Sequence, residues 1–422
     1  MKILLSHSGK QHSYQVAKAM NELGVLDRFY TSSYVANKTL QTLFLKTNNN
    51  YFTRRFLIGL SGPQIDANWR FELKEIVFRK LYGKSIKTQN AVYDRDVQFD
   101  AYVAGQIEKR ANKENLKGQV FWGFQGSCYN SLKAAKNAGM VTVIELATAH
   151  VVAAKRILGE EQDLQPEWAD SIDNLYFPAT YEQRLIAEPH LADYVVVASE
   201  FTKSTVLEVG ILEAQILYLP LGVDVAAVEP KQDLTYNKPI KLLYAGTVTQ
   251  RKGIKYLLEA MTSYDKSEIE LHIYGHIQGN GDAFRAYESQ VFYHGPVSQK
   301  ELFNLYKNFD YLVLPSIFEG FGLVIVEAMA AGLPVITTTH TYGAELITHK
   351  ENGFLVAIRS VSELREVFDE ILLLNSQQYH ILSTKAKDAI TELTWDSYTS
   401  RLKLLLSSSG FFRAFNTTKS QI

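Results

Sequence analysis

Glu319 and Glu327, with seven residues between them, lie in the segment Ser316-Ile-Phe-Glu-Gly-Phe-Gly-Leu-Val-Ile-Val-Glu-Ala-Met-Ala-Ala-Gly332. Gly320 and Gly322 let the backbone adopt conformations closed to other residues and approach a ligand closely. The apolar run from Leu323 to Ala331 reads as a helix. Its free N–H groups and positive dipole end therefore face the glycine turn, which is anion-binding chemistry suited to a diphosphate. Carboxylates repel phosphate, so Glu319 and Glu327 are expected to meet uncharged hydroxyls, a sugar on one side and a ribose on the other. The plainer alternative is an ordinary glycine-rich turn with Glu327 buried behind it, a costly arrangement for an unpaired carboxylate.

A second constellation is Arg251-Lys252, inside the loop Thr247–Gly253. Two adjacent cations offset a diphosphate without a metal, and arginine adds bidentate geometry. Read alone, the pair is equally compatible with an exposed basic turn. In the first half of the chain the polar loop Ser8-Gly9-Lys10-Gln11 offers Gly9 for close approach. Glu145-Leu-Ala-Thr-Ala-His150 follows a strand candidate, and His150 is the one of ten histidines placed after such a strand end, where α/β sites form.

Two patterns resemble metal sites. Asp94-Arg95-Asp96 precedes Ala101–Lys109, which reads as a helix, so capping of that helix is the expected role. His272 and His276 fall on a strand ending at Gly275, where their side chains need not converge. No metal site is expected.

These residues need strands and turns to hold them. Lys2–Ser6 is a short aliphatic run followed by a polar loop and then by Val16, Ala17, Met20 and Leu23 at helical spacing. Val120–Phe124, Val141–Leu146, Tyr194–Ser199 and Ile216–Pro220 continue as strands, with helices between them. Pro230 to Pro239 is polar and reads as a linker. The series then restarts with strands Lys241–Ala245, Leu271–Gly275, Tyr311–Pro315 and Pro334–Thr339. Alternation of this kind in both halves predicts an α/β chain of two Rossmann-like, doubly wound domains facing across a cleft.

Composition agrees with a folded enzyme or binding protein: 422 residues, 46% hydrophobic and 21% charged. The net charge of −1 argues against a nucleic-acid coat. Cys128 is the only cysteine, so intrachain disulfides and two-thiolate zinc sites are excluded. No signal peptide or spanning segment is read, which predicts a cytoplasmic protein. One stretch departs from the rest. Lys38–Lys87 holds ten Lys/Arg against three Asp/Glu, a local +7, together with Phe44, Tyr51, Phe52, Phe56, Trp69, Phe71, Phe78 and Tyr82. Basic and aromatic together predict peripheral contact with an anionic membrane on its inner face.

The Glu319-x7-Glu327 segment, EGFGLVIVEAMAAGLPVI, resembles the signature of the retaining family 4 glycosyltransferases, also called glycosyl transferases group 1. Ala245–Gly253 resembles that family's donor-phosphate loop, with Thr247 where an arginine is common. Tyr342–Ile347 with Glu351–Val356 resembles its post-signature segment. Asp193–Ser199 with Pro220–Asp224 resembles the end of its first domain. The resemblance covers about residues 115–395. It implies the GT-B architecture: an acceptor domain over 1–228, a linker over 229–238 and a donor domain over 239–393. A C-terminal helix and tail, 394–422, are expected to pack back on the first domain.

It also implies a retaining, metal-independent glycosyltransferase of class EC 2.4. The donor would be a nucleotide-diphosphate sugar and the acceptor a glycan or lipid-linked glycan for surface polysaccharide or glycolipid, with no cofactor. Lys252 and Arg251 would meet the diphosphate, Glu319 the donor sugar and Glu327 the ribose. Gly320, Phe321, Gly322, Leu323 and Gly9 would border the donor, and His150 would reach its sugar across the cleft. The alternatives at this stage are a non-catalytic sugar-nucleotide or glycan-binding protein and a nucleotide-sugar epimerase of the same fold.

Overall fold

The computed structural model describes residues 1–47, 50–83, 85–172 and 176–408. Near-continuous aliphatic runs such as Ile3-Leu4-Leu5 are buried on both faces, as expected for strands of parallel sheets covered by helices. The first sheet contains β1 (Ile3–His7), β2 (Leu26–Thr31), β3 (Ile65–Ala67), β4 (Val120–Phe124), β5 (Val141–Leu146), β6 (Tyr194–Val197) and β7 (Ile216–Tyr218). Its order is β3-β2-β1-β4-β5-β6-β7, all parallel. The second contains β8 (Ile240–Ala245), β9 (Ile269–Tyr274), β10 (Phe292–Gly295), β11 (Tyr311–Leu314), β12 (Val335–Thr338) and β13 (Gly353–Val356). Its order is β10-β9-β8-β11-β12-β13, again all parallel. The protein is thus an α/β chain with two doubly wound sheets.

Strand order reverses between β1 and β4 in the first sheet and between β8 and β11 in the second. Crevices at the carboxyl ends of strands at such points are where ligands of this fold bind. The loops that leave β8 and β11 are Gly246–Gly253 and Pro315–Gly322, so topology alone brings Arg251-Lys252 beside the Glu319 segment.

The Trp395–Ser407 helix returns to the first domain. Tyr398, Leu402 and Leu406 are buried with Tyr14, Phe29 and Trp122 in one apolar cluster. Gly222 permits the crossing, since a Cβ there would lie 2.7 Å from Trp395 Cα. Residues 409–422, the tail expected beyond this helix, lie outside the described residues.

One expectation is corrected. Asp94, Arg95 and Asp96 do not cap a helix. They sit inside the long Ile86–Ala111 helix, whose N-cap is Ser85, accepting from the Thr88 N–H. The aromatics of Lys38–Lys87 are mostly turned inward. Phe56 and Phe71 are buried, Phe44 stacks on Phe52, and Phe52 meets Trp69 edge-on. They join the cores of the first domain, Phe56 with Tyr14 and Phe29, and Phe71 with Leu4 and Phe99, because rings are the largest apolar groups the insertion has. The side chain of Tyr51 and residue Lys84 lie outside the described residues. No helix among the described residues is long and apolar enough to cross a membrane.

Candidate active site

The loop after β8 begins at Gly246, with φ of 144°, and ends at Gly253, left-handed at 70°. A Cβ on Gly246 would lie 2.8 Å from Lys252 Nζ, so glycine there leaves the lysine room to fold over the strand end. A Cβ on Gly253 would lie 2.0 Å from the Pro315 carbonyl oxygen, so this loop and the one after β11 pack backbone to backbone. They are also stitched together by hydrogen bonds. The Ile317 and Phe318 N–H groups donate to Arg251 O (3.0 and 3.2 Å), and Arg251 Nη1 donates to Phe318 O (2.9 Å).

Glu319 lies against both cations, its Oε2 being 3.3 Å from Arg251 Nη1 and 3.5 Å from Lys252 Nζ. Burial pushes this carboxyl up, but Lys252 and Arg251 outweigh it and hold it below the usual carboxylate range. The three charges are therefore present together. The Leu323–Ala330 helix starts at Gly322, left-handed at φ 85°, with no side chain capping it. Its first N–H groups open toward the same loop.

Glu327 is buried one turn further in. It accepts from Gln299 Nε2 on one oxygen and from the Tyr306 hydroxyl on the other, both at 2.9 Å. Its cost of burial is thus covered by two donors, and lone pairs remain for further hydroxyls. Phe321 is buried and stacks on Tyr342 at 4.2 Å, while Leu323 is half-exposed at the helix start.

The first domain closes over these loops. Gln250 Nε2 donates to Glu161 Oε1 (2.7 Å), and Gln250 N to Ser171 Oγ (2.9 Å). Glu161 is fully buried and also receives the Tyr256 hydroxyl (2.9 Å) and Arg359 Nε (2.6 Å). The loop after β8 is therefore clamped by a carboxylate from the other domain. Gly320 belongs to this contact. A Cβ there would lie 2.6 Å from Ala147 O, and its own carbonyl accepts from the Ser199 hydroxyl (2.8 Å). The small size of Gly320 lets the two domains touch.

A cavity of about 380 Å³ spans the cleft. Arg251 and Phe318 border it from the second domain, and Gln11, Tyr93, Asp96 and Glu145 from the first. Glu145 pairs with His12 and accepts from Trp122 Nε1 (2.8 Å). Asp96 accepts from Ser8 Oγ (2.6 Å) and from the Tyr181 hydroxyl (3.0 Å). Gly9 lies on the loop after β1, near His7 and Arg95. His12, Asp96 and Tyr93 were not singled out from sequence as site residues. Asp96 falls in a pattern that resembles a metal site, and its place before the helical run Ala101–Lys109 pointed to a cap instead.

His150 is not brought into this cavity. It is fully buried at the N-cap of the Val151–Leu164 helix, its Nδ1 accepting from Val152 N (3.3 Å) and its own N–H donating to Thr205 Oγ1 (3.0 Å). Burial pulls the imidazole down to about 4, so it is neutral at neutral pH. The sequence position after a strand end was right, but the ring turns under the chain to cap the helix that follows. His272 Nδ1 likewise meets His294 Nε2 (3.0 Å), from β10, and not His276.

Residues 227–389 match the family model described as Glycosyl transferases group 1. An uncharacterised glycosyltransferase of Methanocaldococcus jannaschii is 32% identical over 37% of this chain and 42% of its own length. A probable sucrose-phosphate synthase of Thermosipho melanesiensis is 28% identical over 44% of this chain and 45% of its own length. The matched segments thus span less than half of these relatives. Among solved structures, Anabaena HepE in complex with UDP-glucose superposes with a TM-score of 0.60 at 15% identity, covering 96% of this chain and 99% of that one. Residues 227–389, which hold every element of the second-domain site, thus match the family of the glycosyl transferases group 1, within a chain that shares the two-domain GT-B fold.

Proposed function

We propose that the protein is a retaining glycosyltransferase that moves a sugar from a nucleotide diphosphate to a glycan or lipid-linked glycan held at a membrane surface, in the assembly of surface polysaccharide or glycolipid. The observation that carries this is the second sheet's switch point: two cations and an open helix N-terminus, flanked by Glu319 and by the buried Glu327. Lys252, Arg251 and the N–H groups after Gly322 take up charge as it grows on the leaving β-phosphate. Glu319 meets hydroxyls of the sugar and Glu327 those of the ribose, while Phe321 and Leu323 border the donor. Gly9 faces the diphosphate from the first domain. Closure around Glu161 and Gly320 excludes water and limits hydrolysis of the donor. UDP-glucose bound to HepE, a protein of the same fold, supports a nucleotide sugar as donor.

The side chains supply the positive charge, so no divalent cation is needed in this reading. The test is transfer from a panel of nucleotide sugars, chosen first by thermal shift, with and without EDTA. The product's anomeric configuration is then read by NMR. Retention with activity unchanged in EDTA is the expected result. Inversion, or activity restored only by Mg2+ or Mn2+, overturns the mechanism.

A further inference from the structure

With Phe44, Phe52, Phe56, Trp69 and Phe71 packed inward, the Lys38–Lys87 insertion leaves a largely aliphatic surface outside. Leu73, Val77 and Leu81 are 59%, 50% and 66% exposed on the Arg70–Tyr82 helix. Spaced four residues apart, they form one stripe. Leu40 and Leu43, 44% and 49% exposed, lie one turn apart on the Lys38–Lys46 helix. Ile58 and Ile86 are 72% and 75% exposed. Among the described residues, nine of the twenty-one exposed large hydrophobics fall between Leu40 and Ile86, far more than this segment's share of the chain. Exposed apolar side chains concentrated in one segment in this way point to a docking surface.

Its charges indicate what docks there. Lys38, Lys46, Arg54, Lys80 and Lys87 are exposed and have no carboxylate partner among the described residues. The acidic side chains of the insertion are occupied elsewhere. Glu72 is buried and paired with Arg55, Glu75 holds Arg79 and Arg95, and Asp66 accepts from Tyr102. The insertion therefore presents exposed aliphatic side chains together with unneutralised cations, complementary to an anionic lipid surface, where the apolar groups enter and the lysines meet headgroups.

The two helices belong to one surface, because Phe44, Phe52 and Trp69 join the first to the start of the second. That surface also adjoins the cleft. Ile86 begins the helix whose Tyr93 borders the cavity, and seven residues of helix span only about 10 Å.

We infer that the face formed by Leu40, Leu43, Leu73, Val77, Leu81 and Ile86 is a docking surface for an anionic bilayer, orienting the cavity mouth toward acceptors in that bilayer. The orientation rests on the proposed glycosyltransferase reading; the binding itself does not.

Flotation with phosphatidylcholine vesicles, with and without phosphatidylglycerol, tests it. The wild-type protein should float with the anionic vesicles and much less with the neutral ones, and added salt should weaken the contact. Leu73→Ser, Val77→Ser and Leu81→Ser together should lower partitioning by about 10²-fold or more. Lys80→Glu with Lys87→Glu should lower it at least about tenfold. All of these sites are exposed, so circular dichroism and the donor-induced thermal shift should be unchanged. Equal recovery with both vesicle types, or unchanged binding in the triple variant, overturns the inference. So does a wild-type dimer that fails to float and becomes monomeric in the triple variant, since the face would then bind a second copy. Loss of transfer activity with flotation intact would count against the enzymatic reading alone.

Discussion

Lys252 lies over Gly246 with its ammonium 3.5 Å from Glu319. Replacing it with alanine removes one charge from the proposed donor site and leaves no buried group unpaired. Turnover should fall about 10²-fold, measured by steady-state kinetics with unchanged thermal stability. Glu327 behaves differently, because alanine there strands the Tyr306 hydroxyl and the Gln299 amide. That adds about 1–3 kcal/mol of destabilisation to any loss of donor binding. Glu327→Gln keeps an acceptor in place and is the informative change, expected to raise the donor KM with little shift in Tm. His150 gives a third test. Asparagine caps helices well, so His150→Asn should keep both stability and turnover, whereas His150→Ala should cost about 1 kcal/mol in denaturant unfolding. Turnover lost in the stable asparagine variant would return the ring to the reaction.

Among the elements, the turns after β8 and β11 matter most, because backbone contacts fix their shape. Gly253 is left-handed and in contact with the Pro315 carbonyl, so both turns adopt their form together. Gly320 carries the contact onward to the first domain. Gly320→Ala places a methyl 2.6 Å from Ala147 O, which forces the domains apart by a fraction of an ångström or more. The expected result is a larger radius of gyration by small-angle scattering and transfer reduced about 10²-fold, with donor binding largely kept. The Ile86–Ala111 helix has two roles along its length, exposed apolar surface at Ile86 and cavity wall at Tyr93 and Asp96.

At the scale of the whole molecule, the domains meet through polar contacts that respond to pH. Glu345 of the second domain accepts from Glu200 N (3.0 Å) and from the Tyr218 hydroxyl, both on the first. Burial raises this carboxyl from its ordinary 4.5 to about 7, against the hydrogen bonds from Tyr218 and Glu200, which lower it. The folded state therefore holds a proton that the unfolded chain releases between pH 4.5 and about 7. Stability from this group is present below that window and declines as pH rises through it. Glu345→Gln cannot titrate, so its Tm should match wild type at the acid end and exceed it above pH 7. Because Glu345 is only half-buried, the difference should be about 1 kcal/mol. A difference that shrank with rising pH would refute the assignment.

Most of the strands and the glycine turns after β8 and β11 were legible in the sequence because they depend on local signals. Aliphatic runs, glycines at fixed offsets and the helix after Gly322 are all written within short windows, and parallel strands buried on both faces leave an unmistakable pattern. Arg251, Lys252 and Glu319 were legible for the same reason: each sits on a turn whose residues declare it. What sequence could not supply was direction and distant partnership. His150 occupied the expected position, but whether its ring faced the cleft or the following helix depended on Thr205 and the packing around it. The aromatics of the insertion carried the composition of a surface and the geometry of a core, since rings are the first groups a small unit buries. Glu161 gave no signal at all. It lies on an ordinary helix, and only the closing of one domain on the other sets its carboxylate against Gln250 and Arg359. Burial and interdomain contact are properties of the assembled molecule, and tertiary packing alone decides them.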